Sequence, residues 1–219
     1  FSEAPTDFSA GDIAVSGGQL SALVVSESDA KVYTATFTPT AGSETTASVM
    51  VGAGTYFDAA SNAGAGATSP ALTIDTQAPS QLITSDVASL KAGETATITF
   101  TFSEAPTDFS AGDIAVSGGE LSAPVVSESD PKIYTATFTP AVGDEGTASI
   151  SVSSGSYFDA AGNAGAGATG PVLSIDTQAP SLVITSDVDA LKAGETATIT
   201  LAFSEAPTDF SAGDIAVSG

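Results

Sequence analysis

The chain has 219 residues, with four Lys, no Arg, His, Cys or Trp, and 26 Asp plus Glu, for a formal net charge of −22. Four lysines cannot form the basic face that displaces counterions from nucleic acid, and the same deficit disfavours an anionic membrane surface. Without Cys or His there is no zinc or iron–sulfur site, no disulfide, and no catalysis resting on a thiol or imidazole. Hydrophobic residues make up 42% of the chain, enough for a packed core despite the charge. No apolar run approaches the 18 residues of a transmembrane helix, so no membrane insertion is expected. No basic start precedes an apolar stretch as it would in a signal peptide.

Self-similarity organises everything else. The 17 residues from Phe1 to Gly17 recur unchanged from Phe102 and again from Phe203, a period of 102 − 1 = 101 residues. Between residues 1–101 and 102–202, 78 positions are identical. A period this long exceeds the roughly 20–50 residues of solenoid units and matches a small independent domain. The expected linkers are residues 75–80 (DTQAPS) and 176–181, each lying between apolar runs and carrying a proline that cannot donate to a β-ladder. On this frame residues 78–178 are one complete domain. Residues 1–77 lack the first two strands of theirs, and 179–219 hold only the first strands of a third. The chain therefore reads as a window cut from a longer array.

In chain order, the complete repeat opens with a strand at 81–84 and a turn at Asp86. A second turn, Lys91 to Glu94, precedes Thr95 to Phe102. There Ala96, Ile98, Phe100 and Phe102 alternate with threonines, the signature of a half-buried strand. Ser110 to Asp113 has capping-box spacing and predicts one helical turn. A strand at 114–116, a turn at 117–119 and a strand from Leu121 to Val126 follow. The segment 132–139 turns Tyr134, Ala136 and Phe138 to one face. Residues 146–152 do the same with Ala148, Ile150 and Val152, after a turn at 142–146. A glycine–alanine run at 163–168 reads as a flexible loop, and 171–176 closes the set. Seven short strands so punctuated predict an all-β, antiparallel sandwich.

The order of strand pair TITFTFSEAPTDFSAGDI, then YTATFTP, FDAAGNAG and the DTQAP linker resembles the bacterial Ig-like repeats of giant, calcium-dependent surface adhesins of biofilm formers. The resemblance spans the whole chain. It implies tandem immunoglobulin-like sandwiches arranged end to end. It also implies extender repeats that hold an adhesive tip away from the cell, an extracellular, cell-surface location, and calcium near domain junctions.

Calcium takes 6–8 oxygen ligands, mostly carboxylates and carbonyls. In an Ig-type sandwich the loop at 103–108, the loop at 158–163 and the entering linker share one end. Asp75, Glu104 and Asp159 are thus expected to converge there, with Asn163 and backbone carbonyls as supplements. One repeat on, the set is Asp176 with Glu205; the corresponding loop residues of the first repeat are Glu3, Asp58 and Asn62. Bland readings stand beside this. Asp159 and Asn163 have the composition to fold their own turn, and Glu104 reads equally as a solvated loop charge. Asp113 reads as a cap, Asp86 and Asp187 as turn residues at the opposite end of the domain, and Asp144 and Glu145 as a turn. The spacing fits neither an EF-hand loop nor glycine-rich nonapeptide repeats.

Two carboxylates can hydrolyse a glycoside, but here each carboxylate motif is copied once per repeat and only 7% of residues are aromatic. A Lys–Asn isopeptide crosslink has only Lys91, Lys132 and Asn163 to draw on, all at turns or a strand start. No enzyme is expected. The expected function is a non-enzymatic spacer whose partners are neighbouring repeats of the same chain. The alternative is a self-assembling extracellular filament or sheath, in which identical chains pack laterally. A ligand-binding tip domain fits poorly with near-identical repeats.

Overall fold

The computed structural model describes residues 1–218; Gly219, the last residue assigned to the third segment, lies outside them. Its strands are β1 (Ile13–Ser16), β2 (Gly18–Leu20), β3 (Val24–Val25), β4 (Tyr33–Thr34), β5 (Phe37–Pro39), β6 (Glu44–Val51), β7 (Ala67–Thr68) and β8 (Leu72–Asp75). There follow β9 (Gln81–Ser85), β10 (Ser89–Lys91), β11 (Ala96–Phe102), β12 (Ile114–Ser117), β13 (Gly119–Leu121) and β14 (Val125–Val126). The remainder are β15 (Ile133–Pro140), β16 (Glu145–Val152), β17 (Ala168–Thr169), β18 (Leu173–Asp176), β19 (Leu182–Ser186) and β20 (Ile199–Phe203). Helix among the described residues is limited to three single 3-10 turns, Ala10–Asp12, Ala111–Asp113 and Ala212–Asp214. None is long and apolar enough to cross a membrane.

Strands β9 to β18 form two sheets on one core. The first has the order β13-β15-β11-β9, with β14 also on β15; the second has the order β10-β18-β16-β12, with β17 also on β16. The alternation in the sequence sets which side faces in. Ala96, Ile98, Phe100 and Phe102 are all buried, as are Ala148, Ile150 and Val152 across from them. Phe102 stacks edge-on against Tyr157 at 5.1 Å and Phe109 at 4.9 Å. The threonines of β11 point outward, where a β-branched side chain suits a pleated solvent face.

Three details differ from the sequence expectation. The repeat has ten strands rather than seven. The run from Leu121 to Val126 is not one strand: it splits into the end of β13 and the separate β14. One pairing is parallel, β10 with β18. The opening strand crosses between sheets after Ser85. There the Ser85 hydroxyl donates to Val87 O at 2.8 Å, and the Thr97 N–H donates to the Asp86 carboxylate at 2.8 Å. Asp86 is thus a kink-fixing residue within a turn. The crossed strand then runs beside the last strand in the same direction, because the chain enters the sandwich at one end and leaves at the other.

The flanking segments show what the missing pairings do. In the middle repeat β15 is continuous and pairs with β11 from Ile133 to Phe138. Its counterpart in residues 1–77 has no such neighbour and breaks into β4 and β5. Within residues 1–77 only Ala47 and Ile74 are buried hydrophobics. The β19–β20 hairpin leaves Val183 and Ile184 exposed.

Candidate metal centre

The site is assembled by two loops and a linker. The loop after β11 is fastened to the loop after β16: the Thr107 N–H donates to Phe158 O at 2.9 Å, and the Phe158 N–H donates to Asp108 Oδ1 at 3.0 Å. This fastening brings Glu104 toward Asp159. Asp159 is 3% exposed. Its Oδ1 accepts from the N–H groups of Ala161 (2.9 Å) and Asn163 (2.8 Å), and its Oδ2 accepts from Asn163 Nδ2 at 2.8 Å. Asn163 Nδ2 also reaches Asp75, at 3.2 Å from Oδ1 and 3.3 Å from the backbone oxygen. The bond from Asn163 therefore joins the end of β8 to the loop after β16.

Asp75, Glu104 and Asp159 each bring a carboxylate oxygen into one group, all within 4.8 Å of one another. Burial, then the charges of Asp159, Asp75 and Glu44, push the Glu104 carboxyl above its ordinary value. Burial also acts to raise Asp159, but the bonds from Asn163, Ala161 and Gly162 outweigh it and hold that group below the ordinary value. The Asp159 turn and the carboxylate cluster coexist: the turn bonds aim the carboxylate rather than replacing a role for it. Asn163 acts here as a donor to two carboxylates.

Sequence reasoning missed Glu44 and Asp108. Glu44 opens β6 and lies opposite Asp75 in the β6–β8 pairing. It lines a shallow cleft with Gln77, Glu104 and Lys132. Lys132 does not neutralise the cluster; the one ion pair among the described residues is Lys31–Asp29 at 4.0 Å. No pattern in the sequence places Glu44: a strand partner of a linker carboxylate shares its end of the sheet, but only the β6–β8 register shows which residue that is.

The other expected residues are less assembled. Asp176 and Glu205 line one open cleft together with Glu145, which pairs with Asp176 as Glu44 does with Asp75. No residues of the given sequence stand one period after Asp159 and Asn163. Asp58 and Asn62 repeat the turn, with Asn62 Nδ2 donating to Asp58 Oδ2 at 2.7 Å. Asn62 and its neighbours hold Asp58 below its ordinary value. Glu3 is exposed and joins no acidic group of three among the described residues. Asp113 reaches back to the Ser110 N–H at 2.7 Å; the Ser110 hydroxyl donates to the same oxygen at 2.9 Å.

The glycine–alanine run expected to be a flexible loop is pinned. Gly165 lies against the Tyr157 ring so closely that a Cβ there would sit 2.2 Å from ring carbons, so only glycine fits. Its N–H donates to Tyr157 O at 2.8 Å.

What these loops and sheets have in common with other proteins is the bacterial Ig-like domain. The model of that family matches residues 1–74, 75–173 and 176–219. No curated protein matches the chain. It belongs to the bacterial Ig-like domain family, which it carries as successive repeats along its whole length.

Proposed function

We propose that the chain is a non-enzymatic extender of a large bacterial surface adhesin, working outside the cell, with calcium bound between consecutive repeats to stiffen the array. The observation that carries this reading is the convergence of Asp75, at the end of a strand paired with β6, with Glu104 and Asp159, on loops of the β9–β18 sandwich. All three are hard oxygen donors, as calcium requires, and backbone carbonyls and water would complete its 6–8 ligands. With Glu44 added, the ion would gather charge from both sides of the junction. The division into repeats at 1–77, 78–178 and 179–219 belongs to the same proposal.

The fold supports a spacer in a second way. Because β10 and β18 run parallel, the β9–β18 sandwich is entered at one end and left at the other, so repeats built the same way add length. A ten-residue strand spans roughly 33 Å, giving about 35–45 Å per repeat. Without metal the junction carboxylates repel and the linker bends; with metal that repulsion becomes coordination.

Small-angle scattering and calorimetric titration of this polypeptide, in calcium and in chelator, test the reading. Calcium is expected to raise the melting temperature and narrow the spread of particle lengths without changing the mass. If chelator alters neither, the junction reading is wrong. If mass rises with concentration and chains bury more than roughly 1,000 Å² against one another, the object is a lateral filament rather than an extender.

A further inference from the structure

We propose that Thr76 and Tyr157 form a pair of hydroxyl clamps, one on each side of the junction, that confine bending to Gln77 and Ala78 even when no metal is bound. The inference concerns the linker backbone and does not rest on the calcium reading.

Thr76 is tied to the first repeat from every polar atom. Its N–H donates to Ser43 O at 2.9 Å, and its carbonyl accepts from the Gly42 N–H at 3.2 Å. Its hydroxyl donates to Thr40 O at 2.7 Å and accepts from the Ser43 N–H at 3.1 Å. The arrangement is not an accident of one copy. Thr177 repeats it, with its hydroxyl donating to Ala141 O at 2.7 Å and accepting from the Asp144 N–H at 2.9 Å.

On the other side the linker is held by the second repeat. Pro79 is fully buried. Its carbonyl accepts from the Ala166 N–H at 2.8 Å and lies 3.1 Å from the Tyr157 hydroxyl. That hydroxyl is also 3.0 Å from Ala166 O, so its single proton is shared between the linker and the loop that Gly165 wraps over the ring. Tyr157 itself is fully buried. In the first repeat, Tyr56 makes only the loop half of this contact, to Ala65 O at 3.1 Å. One residue further, the Ser80 N–H donates to Ser103 Oγ at 3.0 Å and the Ser103 N–H donates to Ser80 O at 2.9 Å.

Two residues are left between the clamps. Gln77 makes one backbone bond, from its N–H to Asp75 Oδ1 at 3.2 Å, and Ala78 makes none among the described residues. Both are exposed. Two residues carry only four soft dihedrals, so the sandwich ends can tilt but not separate. The clamps also keep Asp75 within reach of Glu104 before any ion arrives, which lowers the ordering cost of binding one.

The chain has no Cys, so Glu27→Cys and Glu128→Cys, both exposed counterpart positions, give a unique spin-label pair across the junction. Distance distributions are recorded in chelator for the parent, Tyr157→Phe and Thr76→Val. Tyr157→Phe deletes the hydroxyl and Thr76→Val replaces it with a methyl of similar size, and each lies on a different side of the junction. Broader distributions are expected in both. The Ala166 amide is also expected to exchange about tenfold faster in Tyr157→Phe, the usual consequence of leaving a buried partner unsatisfied. Amides of β11 and β16 report that the sandwich remains folded. Tyr56→Phe, outside the junction, is expected to leave the distribution unchanged. If either clamp variant keeps the parent width while β11 and β16 stay protected, the paired clamp is overturned. A parent distribution in chelator already as broad as the variants overturns it as well.

Discussion

Replacing Glu104 with Gln removes one charge from the cluster while keeping its shape. Three carboxylates within 4.8 Å make three repelling pairs. At that separation each pair costs about 0.9 kcal/mol in bulk water and about 3.5 kcal/mol at an effective dielectric of 20. The substitution deletes two of the three. Glu104 is partly exposed, so solvent screening and side-chain relaxation favour the lower figure, and the expected gain in chelator is about 1–2 kcal/mol. For a domain of this size that raises the melting midpoint by roughly 5–10 °C. In calcium the sign reverses, because the variant offers the ion one charged ligand fewer. Differential scanning calorimetry in chelator and in calcium measures both arms. A Glu104→Gln protein that melts lower than the parent in chelator refutes the repulsion argument. One that gains as much from calcium as the parent refutes Glu104 as a ligand.

Asp75→Ala is expected to weaken calcium-dependent stiffening, read as the change in scattering length, while the melting of residues 78–178 in chelator is kept. Asp113→Ala should lower stability by about 1 kcal/mol or less through loss of the cap, with an unchanged calcium response in titration. In chelator, stability should also depend on pH in two opposed ways. The folded Glu104 carboxyl sits above 4.5, so the folded state holds the extra proton and stability falls as pH rises through that window. The folded Asp159 sits below 3.8, so its contribution is present above 3.8 and is lost as pH falls through its depressed value. From these two groups, denaturant midpoints across pH should peak between the ordinary values of 3.8 and 4.5, and Glu104→Gln should lessen the decline above that window.

The fold was legible where period-2 alternation was strong. Ala96 to Phe102 and Ala148 to Val152 show in the sequence the faces they bury in the structure. β10 and β14 were not legible as separate strands, because two or three residues carry no period. Their identity comes from partners: β18 for β10, 85 residues further on at Ser89↔Ser174 (174 − 89), and the neighbouring β15 for β14. The carboxylate cluster could be anticipated from loop order alone, since Asp75, Glu104 and Asp159 occupy segments that any Ig-type sandwich brings to one end. Glu44 could not, because its place depends on pairing with Asp75 across a 31-residue gap (75 − 44). Nor could the roles of Thr76 and Tyr157, whose hydroxyls act on backbone carbonyls that no pattern of side chains announces.

A site divided between two repeats has a consequence that a site within one would lack. Asp75 ends β8, which pairs with β6, whereas Glu104 and Asp159 lie on loops of the β9–β18 sandwich, so on the proposed division at residue 78 neither repeat holds the set alone. A cation that binds only the ordered junction stabilises that order by RT ln(1 + [L]/Kd), about 2.7 kcal/mol at a concentration of 100 Kd. The unliganded repulsion is of the same order, so the ion can decide between a bent and a straight junction without changing either sandwich. Reciprocity then requires that straightening the junction tightens ion binding. An array under tension along its axis should hold calcium more firmly than a slack one. Entry and exit at opposite ends of each sandwich would let that tension act on every junction in series.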